Sequence, residues 1–239
     1  MNIAIIFAGG TGQRMNSKTK PKQFLELHGK PILIYTLEQF QRHEQIDAIV
    51  LVCLSEWKEY CQDLIEKFKV TKVCSIVSGG ATGQESIFNG LDEAFKKFPE
   101  DSIVLIHDGV RPLINAETIS KDIECVQKNR SAITVSVASE TISLRGENDT
   151  VGKIIDRSQC QIAKAPQCFI LKDIYQSHLK AQEQGIDDFI DSASLMSFFG
   201  YTLHTVEGPS ENIKITFPSD YYVFRAILEA KENSQIFGV

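Results

Sequence analysis

The chain has 239 residues, of which 43% are hydrophobic and 23% charged, and its formal net charge is −6. That length suits one α/β domain able to bury a sizeable core without disulfide or metal staples. The acidic balance argues against nucleic acid or an anionic membrane as main partner, and leaves room for a local basic pocket.

The first predicted element is an apolar strand, Ile3–Phe7, which runs into Ala8-Gly9-Gly10-Thr11-Gly12-Gln13-Arg14-Met15. Glycines at 9, 10 and 12 let bare backbone approach a ligand closely. Successive N–H groups in such a turn make an anion-binding concavity. Arg14 adds a planar cationic fork and Lys22, in Lys20-Pro21-Lys22-Gln23-Phe24, a point charge. This is chemistry for holding a polyphosphate, although a glycine turn after a strand is also a common tight turn. The spacing fits neither the P-loop nor the dinucleotide fingerprint, because Met15 stands where the latter needs its third glycine. Met15 to Pro21 is polar and ends in proline, so no helix is expected there.

Strands follow at Ala48–Cys53, Lys72–Val77, Ile103–Ile106 and Ala132–Val137, and helices at Pro31–Gln41, Glu56–Phe68, Gln84–Lys97 and Ala116–Asn129. The alternation predicts βαβ units and a mostly parallel, Rossmann-like sheet flanked by helices. Ligands of such sheets bind at the carboxyl ends of the strands. Regularity breaks after Val137. The polar stretch 139–162, with short alternating pieces at Thr141–Leu144 and Val151–Ile155, reads as a β-hairpin arm. Helices return at Leu171–Gln184 and Asp191–Phe199, followed by a strand at Thr202–Val206 and a helix at Ser219–Lys231.

The six cysteines show no paired metal spacing, and those at 53 and 74 sit in apolar runs. The run Ile3–Ala8 is too short, and lacks the basic flank, for a signal peptide, and no apolar run is long enough to span a membrane. A cytoplasmic, reduced protein is expected.

Five segments in order resemble one family, the cytidylyltransferases that activate polyol phosphates, among them the methylerythritol-phosphate and ribitol-5-phosphate enzymes. They are Ala8–Met15, Pro21-Lys22-Gln23-Phe24, His107-Asp108-Gly109-Val110-Arg111-Pro112, Ala165-Pro166-Gln167 and Asn212-Ile213-Lys214-Ile215-Thr216. The resemblance covers nearly the whole chain as one nucleotidyltransferase domain. It implies transfer of CMP from CTP to a polyol phosphate, with release of pyrophosphate and a need for Mg²⁺ or Mn²⁺.

By the same resemblance, Arg14, Lys22 and Lys214 are catalytic cations at the phosphates. From periodicity alone, Lys214 reads equally as an exposed strand residue. Ala8, Gly9, Gly10, Thr11 and Gly12 bind the triphosphate. Gly80, Ala81 and Ser86, in Gly79-Gly80-Ala81-Thr82-Gly83-Gln84-Glu85-Ser86, bind base and ribose. The family usually carries arginine where Gly83 stands and often an acid at Ala81, so the base pocket departs from the pattern.

Asp108 is a metal and acceptor residue by the resemblance, and a turn or cap aspartate otherwise. Arg111 binds acceptor phosphate or supports its loop, and His107 is structural. Arg157 reads by itself as half of a surface Asp-Arg pair. The resemblance sends it to the acceptor phosphate of a partner subunit, the arm being a dimerisation element of a homodimer.

Two departures bear on the acceptor. The methylerythritol enzymes have threonine at the positions of Ala165 and Ile190, which shifts the expectation toward ribitol 5-phosphate or a related polyol phosphate. The ribitol enzymes keep the first of these threonines, so Ala165 is unusual for both. Methylerythritol phosphate is the alternative acceptor. More distant alternatives are an NAD(P)-dependent dehydrogenase and a non-catalytic nucleotide-binding regulator.

Overall fold

The computed structural model describes residues 1–10 and 20–237. Thr11, Gly12 and Arg14, and the helix-free reading of Met15–Pro21 apart from its last two residues, fall outside the described residues.

The elements are β1 (Asn2–Ala8), β2 (Glu26–Leu27), β3 (Lys30–Pro31), α1 (Ile32–Arg42), β4 (Ala48–Cys53), α2 (Lys58–Lys67), β5 (Val73–Ser78), α3 (Gly83–Lys97), β6 (Ile103–Asp108) and α4 (Ala116–Asn129). Then come β7 (Ser131–Val137), β8 (Ile142–Arg145), β9 (Val151–Ile155), β10 (Gln161–Ile170), α5 (Leu171–Glu183), α6 (Ser192–Phe198), β11 (Thr205–Glu207) and α7 (Pro218–Phe237). Seven strands form one sheet in the order β11-β7-β10-β6-β1-β4-β5. Its pairs are parallel except those of β10, which runs antiparallel between β6 and β7.

The central strands β4 and β6 are buried at every position. Near-continuous apolar runs of this kind belong to strands covered on both faces. Strand alternation then divides β1 between two cores. Ala4 and Ile6 pack with Leu33, Phe40 and Ile123 from α1 and α4. Ile3 and Ile5 pack with Leu91, Ile174 and Leu195 from α3, α5 and α6. Helix α3 lies so close to the sheet that a Cβ on Gly90 would come within 2.6 Å of Ile5 and 2.8 Å of Val52. A third, smaller core seats α7, with Phe224 against Ile32 and Ile215.

The predicted α/β order is present, with two corrections. Strand β10 was not anticipated: Pro166 interrupts its sequence, and a proline inside a run argues against a central strand. The sheet accommodates it by a register shift between Ala163 and Gln167 on the β7 side. The predicted strand at 202–206 is confined to Thr205–Glu207, because the Thr202 carbonyl and the His204 N–H are bonded to the Ser131 hydroxyl instead of to a ladder. All six cysteines are free; of the two in apolar runs, Cys53 is buried and Cys74 is exposed at the sheet edge. Among the described residues no helix is long and apolar enough to cross a membrane.

Candidate active site

Strands β1 and β6 lie side by side and end together, Phe7 opposite Asp108. The carboxyl ends of a parallel sheet are open to ligand, and the sequence motifs gather there. Past β1, the 3-10 turn Lys22–Phe24 is pinned on both sides. The Gln23 side-chain amide donates to the Ala8 carbonyl at 2.7 Å, and the Phe24 ring stacks on Trp57 with centroids 4.8 Å apart. Lys22 is thereby held, largely buried, at the end of β1.

Asp108 is the last residue of β6 and only 5% exposed. One carboxylate oxygen accepts from Arg111 Nε at 2.7 Å, and the other lies 2.6 Å from Lys214 Nζ. Burial pushes its carboxyl up, but the two cations outweigh that and leave it at about 2. Arg111 also donates to the Asn212 carbonyl, and the buried Asn212 amide donates to the Ala165 carbonyl at 2.7 Å. Ile215 N–H donates to the Val110 carbonyl. A chain of bonds therefore fixes Lys214 over the end of β6 although 106 positions separate it in sequence from Asp108 (214 − 108). Lys214 lies in a loop, not in the exposed strand its pattern suggested.

His107 is fully buried and donates from Nε2 to the Arg111 carbonyl. Burial pushes it down to about 4, so it is a neutral support for the loop, as the sequence implied.

Asp108, Arg111 and Lys214 face a cavity of about 310 Å³, large enough for a small ligand, whose lining does not include Lys22 or His107. Phe7, Asp108, Arg111, Lys164, Gln167 and Lys214 are among its walls. Lys164 donates to the Ser210 carbonyl; burial and the neighbouring Arg111 both lower its pKa. Gln167 donates to Asp191 at 2.8 Å and accepts from Ala193 N–H at 2.9 Å, which ties β10 to the start of α6. Ala165 and Ile190 both line the cavity, and neither offers a polar side-chain group.

Sequence reasoning missed Lys164, Gln84 and Asn212 as individual site residues. Asn212 and Gln167 lay inside quoted motifs, which was the signal available. Gln84 likewise lay inside the quoted Gly79–Ser86 segment, whereas Lys164 only precedes a motif and had no signal of its own.

A second loop, at the end of β5, comes up beside the first: a Cβ on Gly9 would stand 3.5 Å from Ser86 Oγ. Ser86 Oγ accepts from Gly80 N–H at 3.0 Å and donates to the Thr82 carbonyl at 2.9 Å. Glu85 accepts from Ala81 N–H, and Thr82 caps α3 by accepting from Glu85 N–H. The structure therefore groups Ala8, Gly9, Gly80 and Ser86, and it spends the N–H groups of Gly80 and Ala81 internally. Gly10 is exposed and at the limit of the described residues.

Arg157 stands apart. It donates to the Ser139 carbonyl across the base of the arm, is exposed, and does not line the cavity. The arm's own two strands pair only with each other.

Among the described residues no cluster of three His, Cys, Asp or Glu is placed to hold a metal ion. Asp108 offers one carboxylate. Mg²⁺ at nucleotide sites uses one or two carboxylates beside substrate phosphates, so this donor set fits an ion carried mainly by a triphosphate.

Residues 2–230 match the family model described as IspD: 2-C-methyl-D-erythritol 4-phosphate cytidylyltransferase. The chain is 52% identical, over the whole of both chains, to a ribitol-5-phosphate cytidylyltransferase of Streptococcus agalactiae. It is equally identical to one of Vibrio parahaemolyticus, again over the full length of both. A 2-C-methyl-D-erythritol 4-phosphate cytidylyltransferase of Clostridium acetobutylicum is 38% identical over 98% of this chain and 99% of that protein. Among solved structures, the 4-diphosphocytidyl-2C-methyl-D-erythritol synthase of Anaerococcus prevotii superposes with a TM-score of 0.81 at 30% identity, covering 96% of each chain.

Proposed function

The chain belongs to the IspD family of cytidylyltransferases and is a CTP-dependent nucleotidyltransferase; on that premise we propose that it transfers CMP from CTP to ribitol 5-phosphate, as a homodimer. The observation that carries the acceptor reading is the 52% identity, over the full length, to ribitol-5-phosphate cytidylyltransferases, against 38% to a methylerythritol enzyme. The cavity wall at Ile190 is in keeping with it. Ile190 offers aliphatic carbon there, where the resemblance leads one to expect a threonine hydroxyl in a methylerythritol enzyme.

An oxygen of the acceptor phosphate attacks the α-phosphorus of CTP. The bond to the β-phosphate breaks, and pyrophosphate leaves with the electron pair. The acceptor phosphate is already largely ionised near neutrality, its second pKa being about 6. No strong base is needed, and His107, buried behind the loop, does not line the cavity. Alignment and charge stabilisation carry the reaction. Lys22 and Lys214 supply cations on two sides of the reacting phosphates, with Arg14 as a third. Asp108 holds Lys214 and Arg111 in place and would hold Mg²⁺ together with the triphosphate. That ion would neutralise charge on the phosphate oxygens.

The base-binding turn suits cytosine. With the N–H groups of Gly80 and Ala81 already bonded, base recognition there would fall to backbone carbonyls, and the cytosine amino group is a donor.

The dimer reading rests on the arm. Leu144, Val151 and Ile154 are each more than half exposed, as is Val137 at its base. A lone two-stranded hairpin is marginal in water, and a two-fold mate is the commonest cover. Arg157 would then serve the partner's acceptor phosphate. The six free cysteines suit a reduced, cytoplasmic setting.

Pyrophosphate release, measured with CTP over a panel of polyol phosphates, tests the reading. Ribitol 5-phosphate should give the highest kcat/KM. Release with none of the panel, or with methylerythritol phosphate foremost, would overturn the acceptor assignment.

A further inference from the structure

The cavity walls differ along their length. On the side of α3 and α6, Gln84 is saturated: it donates to the Ile186 carbonyl at 2.9 Å and accepts from Phe189 N–H at 3.0 Å. Gln167 and Asp191 are bonded to each other and to the start of α6. Two further polar side chains line the same cavity without such ties. His178, on α5, is 1% exposed, and neither ring nitrogen meets a hydrogen-bond partner. Ser192, the first residue of α6, is 3% exposed, and its hydroxyl is equally unpartnered. Ile87, Phe189 and Leu195 add apolar wall to the same cavity.

Buried polar groups are almost always bonded, and one left without a partner costs free energy. A site built in this way asks for a ligand group that both donates and accepts, beside aliphatic carbon. Burial keeps the His178 ring neutral, at about 4, so at neutral pH one nitrogen donates and the other accepts. A hydroxyl matches both the imidazole and the serine; a phosphate or carboxylate matches neither without a counter-charge.

We propose that His178 and Ser192 form the inner end of the acceptor subsite, where they bind the hydroxyl at the end of the polyol remote from its phosphate and so select acceptor length and hydroxylation. This deepens the acceptor reading above and rests on it. The phosphate stays at the Asp108, Arg111 and Lys214 end, the carbon chain runs along the apolar wall, and the last hydroxyl satisfies the two orphaned groups. An acceptor without that hydroxyl leaves them unpaired.

The test is kcat/KM at saturating CTP and Mg²⁺ for ribitol 5-phosphate and for its 1-deoxy analogue, which lacks only the remote hydroxyl. The full-length chain is compared with Ser192→Ala and His178→Phe. Ser192→Ala removes a hydroxyl that makes no bond in the fold, so it keeps the test informative if His178→Phe folds poorly. The unaltered chain should prefer ribitol 5-phosphate by at least about tenfold, as expected for one buried polar group left unpaired. Each variant should bring that ratio toward one through the KM for acceptor, with the KM for CTP unmoved. Turnover of both acceptors with the ratio unchanged in Ser192→Ala, or an equal loss on both, would overturn the inference alone. If ribitol 5-phosphate is not turned over by the unaltered chain, the acceptor reading falls and this inference with it.

Discussion

Asp108 and Arg157 are both charged residues expected at the acceptor phosphate, and the fold treats them in opposite ways. Asp108 sits at the end of a buried strand, with both oxygens matched to cations. Its partners Arg111 and Lys214 are fixed in turn through Asn212 and Val110. Arg157 lies on an exposed arm whose strands pair only with each other, and it donates to the Ser139 carbonyl at the arm's own base. The first region is complete within one chain. The second leaves large apolar side chains in water and its arginine away from the cavity, which is the condition of a surface finished by a second copy. On the reading proposed above, Asp108 acts in its own subunit and Arg157 would act in its neighbour.

The largest expected effect belongs to the complete region. Lys22→Ala and Lys214→Ala should each lower kcat/KM by roughly a hundredfold or more, the usual loss when one preorganised charge is removed from a transition state. Steady-state kinetics on folded variants decides it, and near-normal turnover would remove that lysine from the mechanism.

The arm is broken differently. A mixture of Arg157→Ala and Lys22→Ala chains should recover activity that neither has alone. If sites are shared, each mixed dimer holds one site with both defects and one with neither. No recovery, or a monomer by light scattering at working concentration, would place Arg157 in its own subunit or in no site.

Asp108→Asn should lower activity less than loss of a lysine, because both cations are kept in the site, although held less firmly without their counter-charge. The wild-type reaction should require Mg²⁺ or Mn²⁺; full activity in excess chelator would contradict the assignment of Asp108 to a metal-bearing site.

The smallest effect is on stability. Buried His107 and His178 titrate at about 4 in the fold against 6.5 when unfolded. Between those values the unfolded chain binds protons that the folded chain refuses. As pH falls, stability should fall by about 1.4 kcal/mol per unit for each histidine. Buried Asp122 offsets about one such slope, because its carboxyl is pushed up to about 8 and keeps a proton in the fold that the unfolded chain has lost. The Asp108 carboxyl has the depressed value of about 2, so its contribution is present above its unfolded value and is lost only as pH falls toward about 2. The arm from Ser139 to Cys160 has no buried residue, and Val151→Asp should leave this slope intact while weakening the dimer. Denaturant titrations of both chains between pH 7 and about 4 measure it; a flat profile would mean the two histidines are not both buried neutral.

The parallel half of the sheet was legible because covered strands and their helices leave two clean periods in the sequence. The arm was legible because its alternation is short, polar on one face and bounded by glycines. Strand β10 was not, since Pro166 and the polar residues around it imitate a loop. The motif residues Lys22, Asp108 and Lys214 could be singled out from the chain, but not the Asp108–Lys214 pair, which depends on where the loop before α7 returns. His178 gave no signal at all: it is a lone histidine in an ordinary amphipathic helix, and only the cavity shows that its ring lacks a partner. Ile190 carried information through what it is not, and its cavity position is in keeping with that reading.

One competition measures the central claim. The chain is given CTP, Mg²⁺ and equal concentrations of ribitol 5-phosphate and methylerythritol phosphate, and the products are separated and identified by mass. The account predicts CDP-ribitol in at least tenfold excess from the first turnovers. A predominance of the methylerythritol product would contradict it.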